Sequence, residues 1–162
     1  MDLNKLTMGD RVVAVSGILL LIFGFFPWFN YDVAGFDVGD QNAYDFFLFG
    51  TIPVILGLLM IAQIAVARFT TTEMPKLGTL TWGQVHLIVG GLAFLLILIK
   101  LLLGDDVGVI VDTIDGDRSI GIFLSLIAAA GLAAGGLLKM RDPADAAGAA
   151  GGPAAPPPPP TA

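Results

Sequence analysis

The chain has 162 residues, of which 56% are hydrophobic and 14% are charged, and its formal net charge at pH 7 is −6. Soluble domains carry about 25% charged residues, so this composition excludes an ordinary water-soluble globule. The lack of cysteine excludes a disulfide scaffold, the single histidine leaves no histidine cluster for zinc, and the acidic balance argues against a nucleic-acid partner.

The first long apolar stretch, 12–29, contains no charged residue. A helix needs roughly 20 apolar residues to cross about 30 Å of hydrocarbon, so this stretch predicts a membrane helix. Thr7 lies before it with Asp10 three positions later, a spacing typical of a capping box at a helix start. No small-residue cleavage site follows the stretch, which favours a retained helix over a signal peptide. Aromatic residues at 25–31 predict that the helix ends at a membrane surface.

The second apolar stretch, 46–67, is also free of charge and predicts a second membrane helix. Pro53 lies inside it and cannot donate a hydrogen bond to the carbonyl of Phe49, so we expect a bend at this point. Gln63 lies near the far end of the stretch and is expected to hydrogen-bond to a neighbouring helix.

The third apolar stretch, 85–103, contains two residues that can carry a charge, His86 and Lys100. Thr81 and Gln84 before it form a second predicted capping box. His86 is at the start of the stretch and is expected to lie at the membrane surface. Lys100 is near the opposite end, where its long side chain can extend toward the aspartates that follow the helix.

The fourth apolar stretch, 120–138, has no charged residue and is rich in small residues. Small residues let membrane helices approach each other closely, and a GxxxG spacing is a frequent example. We interpret this line of small residues as helix packing within the chain in preference to a docking face. The residues concerned are Gly121, Ser125, Gly131 and Gly135.

The two loops on the side opposite the termini carry most of the acidic residues. In the first loop, 31–40, the turn residues Ala34 and Gly35 favour a small β-hairpin. In the second, 107–114 is rich in β-branched residues and precedes a turn signal. Asp112, Asp115 and Asp117 resemble a calcium loop only loosely, since the closing glutamate of an EF-hand is missing. We expect them to attract cations as a solvated face without forming a specific metal site.

The distribution of basic residues predicts the orientation. Six lie on one side of the predicted spans and two on the other, which places both termini in the cytoplasm of a multi-pass inner-membrane protein. The six are Lys5, Arg11, Arg68, Lys76, Lys139 and Arg141. The fold class is therefore an all-helical bundle over 1–141, followed by a cytoplasmic tail at 142–162 whose Ala, Gly and Pro content predicts disorder.

An internal repeat is indicated when the chain is shifted by 74 residues. The segment 6–10 then aligns with 80–84, and the two predicted capping boxes coincide. Two helices per repeat keep the same orientation, so we expect two helical hairpins related by a pseudo-two-fold axis along the membrane normal.

The sequence Phe-Phe-Pro-Trp-Phe at 25–29, the four spans and the Ala/Pro-rich tail resemble small uncharacterised four-helix membrane proteins of actinobacteria. The resemblance implies the four-helix topology. It implies no activity, cofactor or site.

The functional prediction is a non-enzymatic accessory or scaffold subunit that acts through helix packing and an acidic external surface. Its partners would be the lipid bilayer and another membrane protein or a second copy. A small channel or transporter for a cation or small solute is the alternative. We expect no cofactor and no catalytic residue, because no triad, phosphate loop or dinucleotide fingerprint is found.

Overall fold

The computed structural model describes residues 6–33, 35–70, 80–104 and 116–142. Four α-helices dominate this part of the chain: α1 Met8–Phe23, α2 Ile52–Phe69, α3 Trp82–Leu103 and α4 Ile120–Met140. Three short strands accompany them: β1 Phe29–Val33, β2 Phe36–Gln41 and β3 Gly116–Arg118. A 3-10 helix, Ala43–Asp45, and a π-helical turn, Phe47–Thr51, precede α2. The prediction of a helical bundle is confirmed, but the chain is not all-helical, because the loops at one end of the bundle pair into a three-stranded sheet.

The four helices run alternately up and down. The starts of α1 and α3 meet the ends of α2 and α4, as contacts of Asp10 with Arg68 and of Gly83 with Met140 show. We call this the terminal end. The sheet covers the opposite end, where the start of α4 is hydrogen-bonded to the chain after α1, and we call it the sheet end.

Three helical segments are long and apolar enough to cross a membrane: Phe47–Phe69, Trp82–Leu103 and Ile120–Met140. They match the second, third and fourth predicted stretches. Capping boxes begin α1 at Thr7 and α3 at Thr81, as predicted. In each box the threonine hydroxyl accepts from the third backbone N–H, and the third side chain accepts from the threonine N–H.

The first helix is shorter than its predicted stretch of 12–29, because α1 ends at Phe23 and Phe29 already begins β1. Sixteen residues extend about 24 Å, less than the hydrocarbon thickness. Pro27 has no N–H and restricts the residue before it to extended conformations. The Trp28 N–H donates to the Gln41 carbonyl at 2.7 Å, and the Trp28 carbonyl accepts from the Ser119 N–H at 2.8 Å. This backbone therefore joins the sheet end.

Pro53 lies in the first turn of α2, directly after the π-helical turn. Within that turn the Thr51 N–H donates to the Phe46 carbonyl at 3.0 Å, five residues back. The first turn of an α-helix tolerates proline well. The structure thus places Pro53 at a change from π-helical to α-helical backbone, near the sheet end.

The sheet has the order β2-β1-β3 and both pairs are antiparallel. The hairpin predicted at 31–40 is confirmed, and it begins two residues earlier, at Phe29. Gly35 lies in the connection with a φ of +82°, a conformation that suits glycine. β2 pairs only with β1 among the described strands, so no described strand pairs with its other edge.

The predicted two-fold relation does not extend to the packing. A two-fold axis would relate α1 to α3 and α2 to α4. If Gly9 on α1 contacts α4, the axis therefore requires Gly83 on α3 to contact α2. Instead, a Cβ added at Gly9 would meet Lys139 and one added at Gly83 would meet Met140, so both glycines face α4. The repeat is shared by the helix starts and not by the helix contacts, because α1 and α3 both pack more extensively against α4 than against α2.

Candidate functional site

A buried cluster of charges joins three helices at the terminal end. The Asp10 carboxylate is fully buried and accepts hydrogen bonds from Lys139 Nζ on its Oδ1 and from Arg68 Nε on its Oδ2, the latter at 2.7 Å. The backbone N–H of Thr7 donates to Oδ2 as well, at 3.2 Å. The Lys139 side chain is also buried, whereas that of Arg68 is one-fifth exposed. We call Asp10, Arg68 and Lys139 the charge cluster.

The charge cluster keeps Asp10 ionised. Asp10 precedes the first apolar stretch. Burial alone would raise the pKa of its carboxyl, but the hydrogen bond and positive charge of Lys139, the Thr7 N–H and the charge of Arg68 together lower this pKa below its usual value. Lys139 and Arg68 thus both bind this one carboxylate.

His86 and Gln63 lie at the same end of the bundle. The structure buries the His86 ring almost completely, because α3 turns this side chain toward its buried face. Its location at the level of the membrane surface stays a prediction. His86 Nδ1 lies 2.8 Å from the Trp82 carbonyl. Within the described residues His86 Nε2 and Gln63 Oε1 are buried and have no hydrogen-bond partner. Gln63 Oε1 therefore lacks the interhelical partner that we expected.

Lys100 occupies an aromatic site near the sheet end. Its side chain is buried, and Nζ lies 4.0 Å from the ring centre of Phe46 and 5.1 Å from that of Phe29. Aromatic faces attract cations, particularly where water is excluded. The Lys100 ammonium therefore lies near the sheet end, buried against these two rings. The aspartates at 105–106, to which we expected it to extend, lie outside the described residues.

The small residues of α4 face other parts of the same chain. Ser125 Oγ accepts a hydrogen bond from Trp28 Nε1 at 3.2 Å, and both residues are buried. A Cβ at Gly135 would come 2.5 Å from Val13 Cγ2, and one at Gly131 would overlap Ser16 Oγ. A Cβ at Gly121 would overlap the Pro27 carbonyl oxygen. These contacts are the intramolecular packing that the sequence favoured.

The sheet end presents an acidic surface. Five of its aspartates are exposed in the described part of the chain: Asp32, Asp37, Asp40, Asp45 and Asp117. Phe36 and Val38 on β2 are exposed among them, by 76% and 58%. Arg118 is the exposed cation of the described sheet strands, and its guanidinium donates to the carbonyls of Leu101 and Leu102.

The predicted cation-attracting aspartates are only partly described. Asp117 is exposed on β3, while Asp112 and Asp115, the β-branched segment 107–114 and the tail from 143 lie outside the described residues. Within the described ranges no group of three or more His, Cys, Asp or Glu side chains is placed to hold a metal ion.

Sequence reasoning missed the charge cluster. Asp10 was interpreted as a capping residue, and Arg68 and Lys139 as indicators of orientation. Each of the three lies at the end of a long helix. This placement was the available signal that they could meet, because the ends of neighbouring helices lie together in an antiparallel bundle. Their pairing needed the tertiary contacts: Asp10 and Lys139 are 129 positions apart.

Comparison with protein families, curated proteins and solved structures gives no match for this chain. The geometry defines the class on its own. This is a four-helix protein with three helices suited to crossing a membrane, a small sheet at one end and a buried charge cluster at the other.

Proposed function

We propose that the protein is a multi-pass inner-membrane protein with both termini in the cytoplasm, and that it is a non-enzymatic accessory or scaffold subunit. In this proposal the helical bundle anchors the chain and the sheet end binds a partner outside the membrane. The observation that carries it is the edge of β2 with which no described strand pairs, and beside which Phe36 and Val38 are exposed among aspartates.

The outer faces of the helices support the membrane part of this proposal. Large apolar side chains are exposed along every helix, as lipid contact requires. Examples are Ile18, Leu59, Leu95 and Ile127.

The interior between the two ends supports a structural function in preference to transport. The buried residues at this level of the described helices are mainly apolar and tightly packed: Leu20, Val54, Ile97, Ala129 and Leu132. A wet passage would need polar groups along its length. Apart from Ser16 in the middle of α1, the buried polar residues of the described helices lie toward the two ends, so the described packing favours a closed bundle.

The chemistry of the sheet end indicates the kind of partner. A free strand edge offers backbone N–H and C=O groups to an added strand. Exposed aspartates next to this edge repel a second copy, which carries the same charges, and attract a basic chain. We therefore propose an extended, basic segment of a different membrane or external protein as the partner on β2.

Site-specific photo-crosslinking in native membranes tests this proposal. With a photoreactive phenylalanine analogue at position 36, we expect a covalent adduct to a different protein. Asp37→Lys with Asp40→Lys in the same chain should remove most of the adduct, because both charges beside this edge are reversed. Asp117→Lys, on the opposite edge of the sheet, is the matched charge control and should retain most of the adduct.

The same analogue at Ile127, on the outer face of α4, is the control for lipid contact and should give no protein adduct. Two differently tagged copies of the chain separate a partner from self-association. Adducts between the two tags, adducts with lipid alone, or equal yields from positions 36 and 127 would each contradict the proposal.

A further inference from the structure

The register of the sheet assigns its side chains to two faces. Along β1 burial alternates, because Phe29 and Tyr31 are buried in the core whereas Asn30 and Asp32 are exposed. Successive side chains of a strand point to opposite faces of the sheet. The face of Phe29 and Tyr31 therefore lies against the helices, and we call it the bundle face. The face of Asn30 and Asp32 points away from the helices, and we call it the acidic face.

The side chains of β2 follow from those of β1, because residues directly opposite each other on neighbouring strands share a face. Asp37 lies opposite Asp32, which places it on the acidic face. Asp40 lies opposite Asn30 and belongs to the same face. Phe36 directly precedes Asp37 and therefore belongs to the bundle face. Its side chain is 76% exposed, so the helices do not cover the bundle face at this end of the hairpin.

β2 has one extra residue between its two aspartates. Asp37 and Asp40 are three positions apart, but the residues opposite them on β1 are only two positions apart. Such an extra residue is a β-bulge, here at Val38 and Gly39, and on β1 the single residue Tyr31 spans it. Val38 follows Asp37 and therefore lies on the bundle face, where its side chain is 58% exposed. The two aspartates thus point the same way although three positions separate them.

The same geometry applies to a strand added at the other edge of β2, with which no described strand pairs. An added strand continues both faces of the sheet. If it spans the bulge with one residue, as β1 does, its residues opposite Asp37 and Asp40 are two positions apart and lie on the acidic face. The residue between these two, and the residue opposite Phe36, lie on the bundle face beside apolar side chains.

We propose that the partner segment on β2 alternates apolar and basic residues over at least four positions, in the order apolar, basic, apolar, basic. Lysine or arginine opposite Asp37 and Asp40 forms ion pairs on the acidic face, and apolar residues beside Phe36 and Val38 extend the bundle face. Opposite charges and apolar side chains stabilise a sheet when they lie directly across from each other. The pattern rests on the proposed docking of a basic segment on β2 and specifies the side chains of that segment.

Distance restricts the effect to the aspartates of β2. Neighbouring strands lie about 4.8 Å apart, so an added strand is about 5 Å from Asp40 but about 14 Å from Asp117 on β3, three strands away. Salt screens exposed charges beyond about 8 Å at physiological ionic strength. Asp117 lies opposite Asn30 and so belongs to the acidic face, but it should contribute little to binding.

Binding of two synthetic peptides to the full chain in phosphatidylcholine nanodiscs tests the pattern. Both peptides contain equal numbers of valine and lysine; one alternates the two residue types, and the other repeats Val-Val-Lys-Lys. In an extended chain the alternating peptide has all its lysines on one face, whereas the paired peptide divides them between both faces. Measured by fluorescence anisotropy, the alternating peptide should bind roughly three- to tenfold more tightly.

Asp37→Asn with Asp40→Asn in one chain should remove most of this preference, because both charges beside the added strand are lost. Asparagine at position 37 keeps the side-chain oxygen that accepts a hydrogen bond from the Gly39 N–H at 2.9 Å, so the bulge should be retained. Asp117→Asn is the matched control. It removes one charge from the acidic face and should leave the preference unchanged.

Different results would contradict this pattern and the proposed function. Equal binding of both peptides to the wild-type chain would overturn the pattern alone, as would no binding of either while the photoreactive analogue at position 36 still gives a protein adduct. A preference that persists without the two β2 charges, or that protein-free nanodiscs reproduce, would also overturn it, since other residues or lipid would then recognise the peptide. No protein adduct at position 36 would contradict the proposed function itself.

Discussion

Asp10 is the residue on which the terminal end depends most. Its carboxylate is fully buried and binds groups from three other parts of the chain: the Thr7 backbone, Arg68 on α2 and Lys139 on α4. A buried ion pair adds little compared with a well-packed apolar pair, but removing one partner leaves the other charge buried and unpaired. The cluster therefore makes the arrangement of α1, α2 and α4 sensitive to single substitutions.

Asp10→Ala is expected to lower the free energy of unfolding by about 3–5 kcal/mol, because it removes the carboxylate that binds the buried Lys139 ammonium. Arg68→Met should cost less than Asp10→Ala, since the Arg68 side chain is partly exposed to solvent. Denaturant titration of the protein in detergent micelles measures these differences.

Arg141→Ala is the control for this series, because Arg141 is an exposed cation two residues beyond Lys139. Its effect should lie within about 0.5 kcal/mol. The double variant Asp10→Asn with Lys139→Met should recover part of the loss seen in either single variant. Strictly additive losses would mean that the two side chains do not interact.

Stability should also fall in acid. The pKa of Asp10 is lower in the folded chain than the value of about 3.9 expected for an unfolded chain. The stabilisation is complete above the unfolded value and is lost as the pH falls through the folded one. We expect the free energy of unfolding to decrease below about pH 4, as measured in a non-ionic detergent. Asp10→Asn should decrease less over the same interval, and an equal acid dependence of both proteins would contradict this origin.

At the scale of elements, α4 is the helix against which α1 and α3 pack. Its small residues allow the close approach that membrane helices use in place of a hydrophobic driving force. This close approach is confined to one face of a helix. On α3, a Cβ at Gly90 would lie 2.7 Å from backbone atoms of α4, whereas a Cβ at the adjacent Gly91 would meet nothing within 4 Å.

Gly90→Ala is therefore expected to destabilise the bundle by about 1–3 kcal/mol, because backbone atoms of α4 must move. Gly91→Ala provides the matched control, with the same added methyl group one position along. It should be neutral or stabilise by roughly 0.5–1 kcal/mol through its higher helix propensity. Thermal unfolding in detergent compares the two, and equal destabilisation would refute the packing of α3 on α4 described here.

For the whole molecule, the two ends have different chemistry. The sheet end is acidic and carries exposed apolar side chains, while the terminal end holds the charge cluster and most of the basic residues. The positive-inside rule predicts that the terminal end lies in the cytoplasm. The proposed docking on β2 requires the sheet end to be outside.

Single-cysteine variants test this orientation, because the chain has no cysteine of its own. Asp37→Cys on β2 should react with a membrane-impermeant maleimide in intact cells. Arg141→Cys, just after α4, should react only after the membrane is opened. Both positions are exposed in the structure, so a difference in labelling reports the side of the membrane. The opposite pattern would reverse the orientation and remove the basis for an external partner.

Local patterns were sufficient for much of the fold. Uncharged apolar stretches of about 20 residues, Thr7 and Thr81 at their capping positions, and the turn at Gly35 all depend on neighbours within a few residues. Backbone hydrogen bonding and helix capping are short-range, so the sequence alone determined the helices α2 to α4, both capping boxes and the hairpin.

Only the tertiary structure decided where α1 ends and which polar groups meet. The apolar pattern continues to Phe29, but backbone groups at Pro27 and Trp28 bind Gln41, Ser119 and Gly121, and that pairing ends the helix at Phe23. Likewise the spacing of Asp10 from Thr7 predicts a capping residue, whereas its contacts with Arg68 and Lys139 make it a buried ion-pair partner. Long-range pairing depends on how the helices pack, and no spacing along the chain records which buried groups will face each other across a bundle.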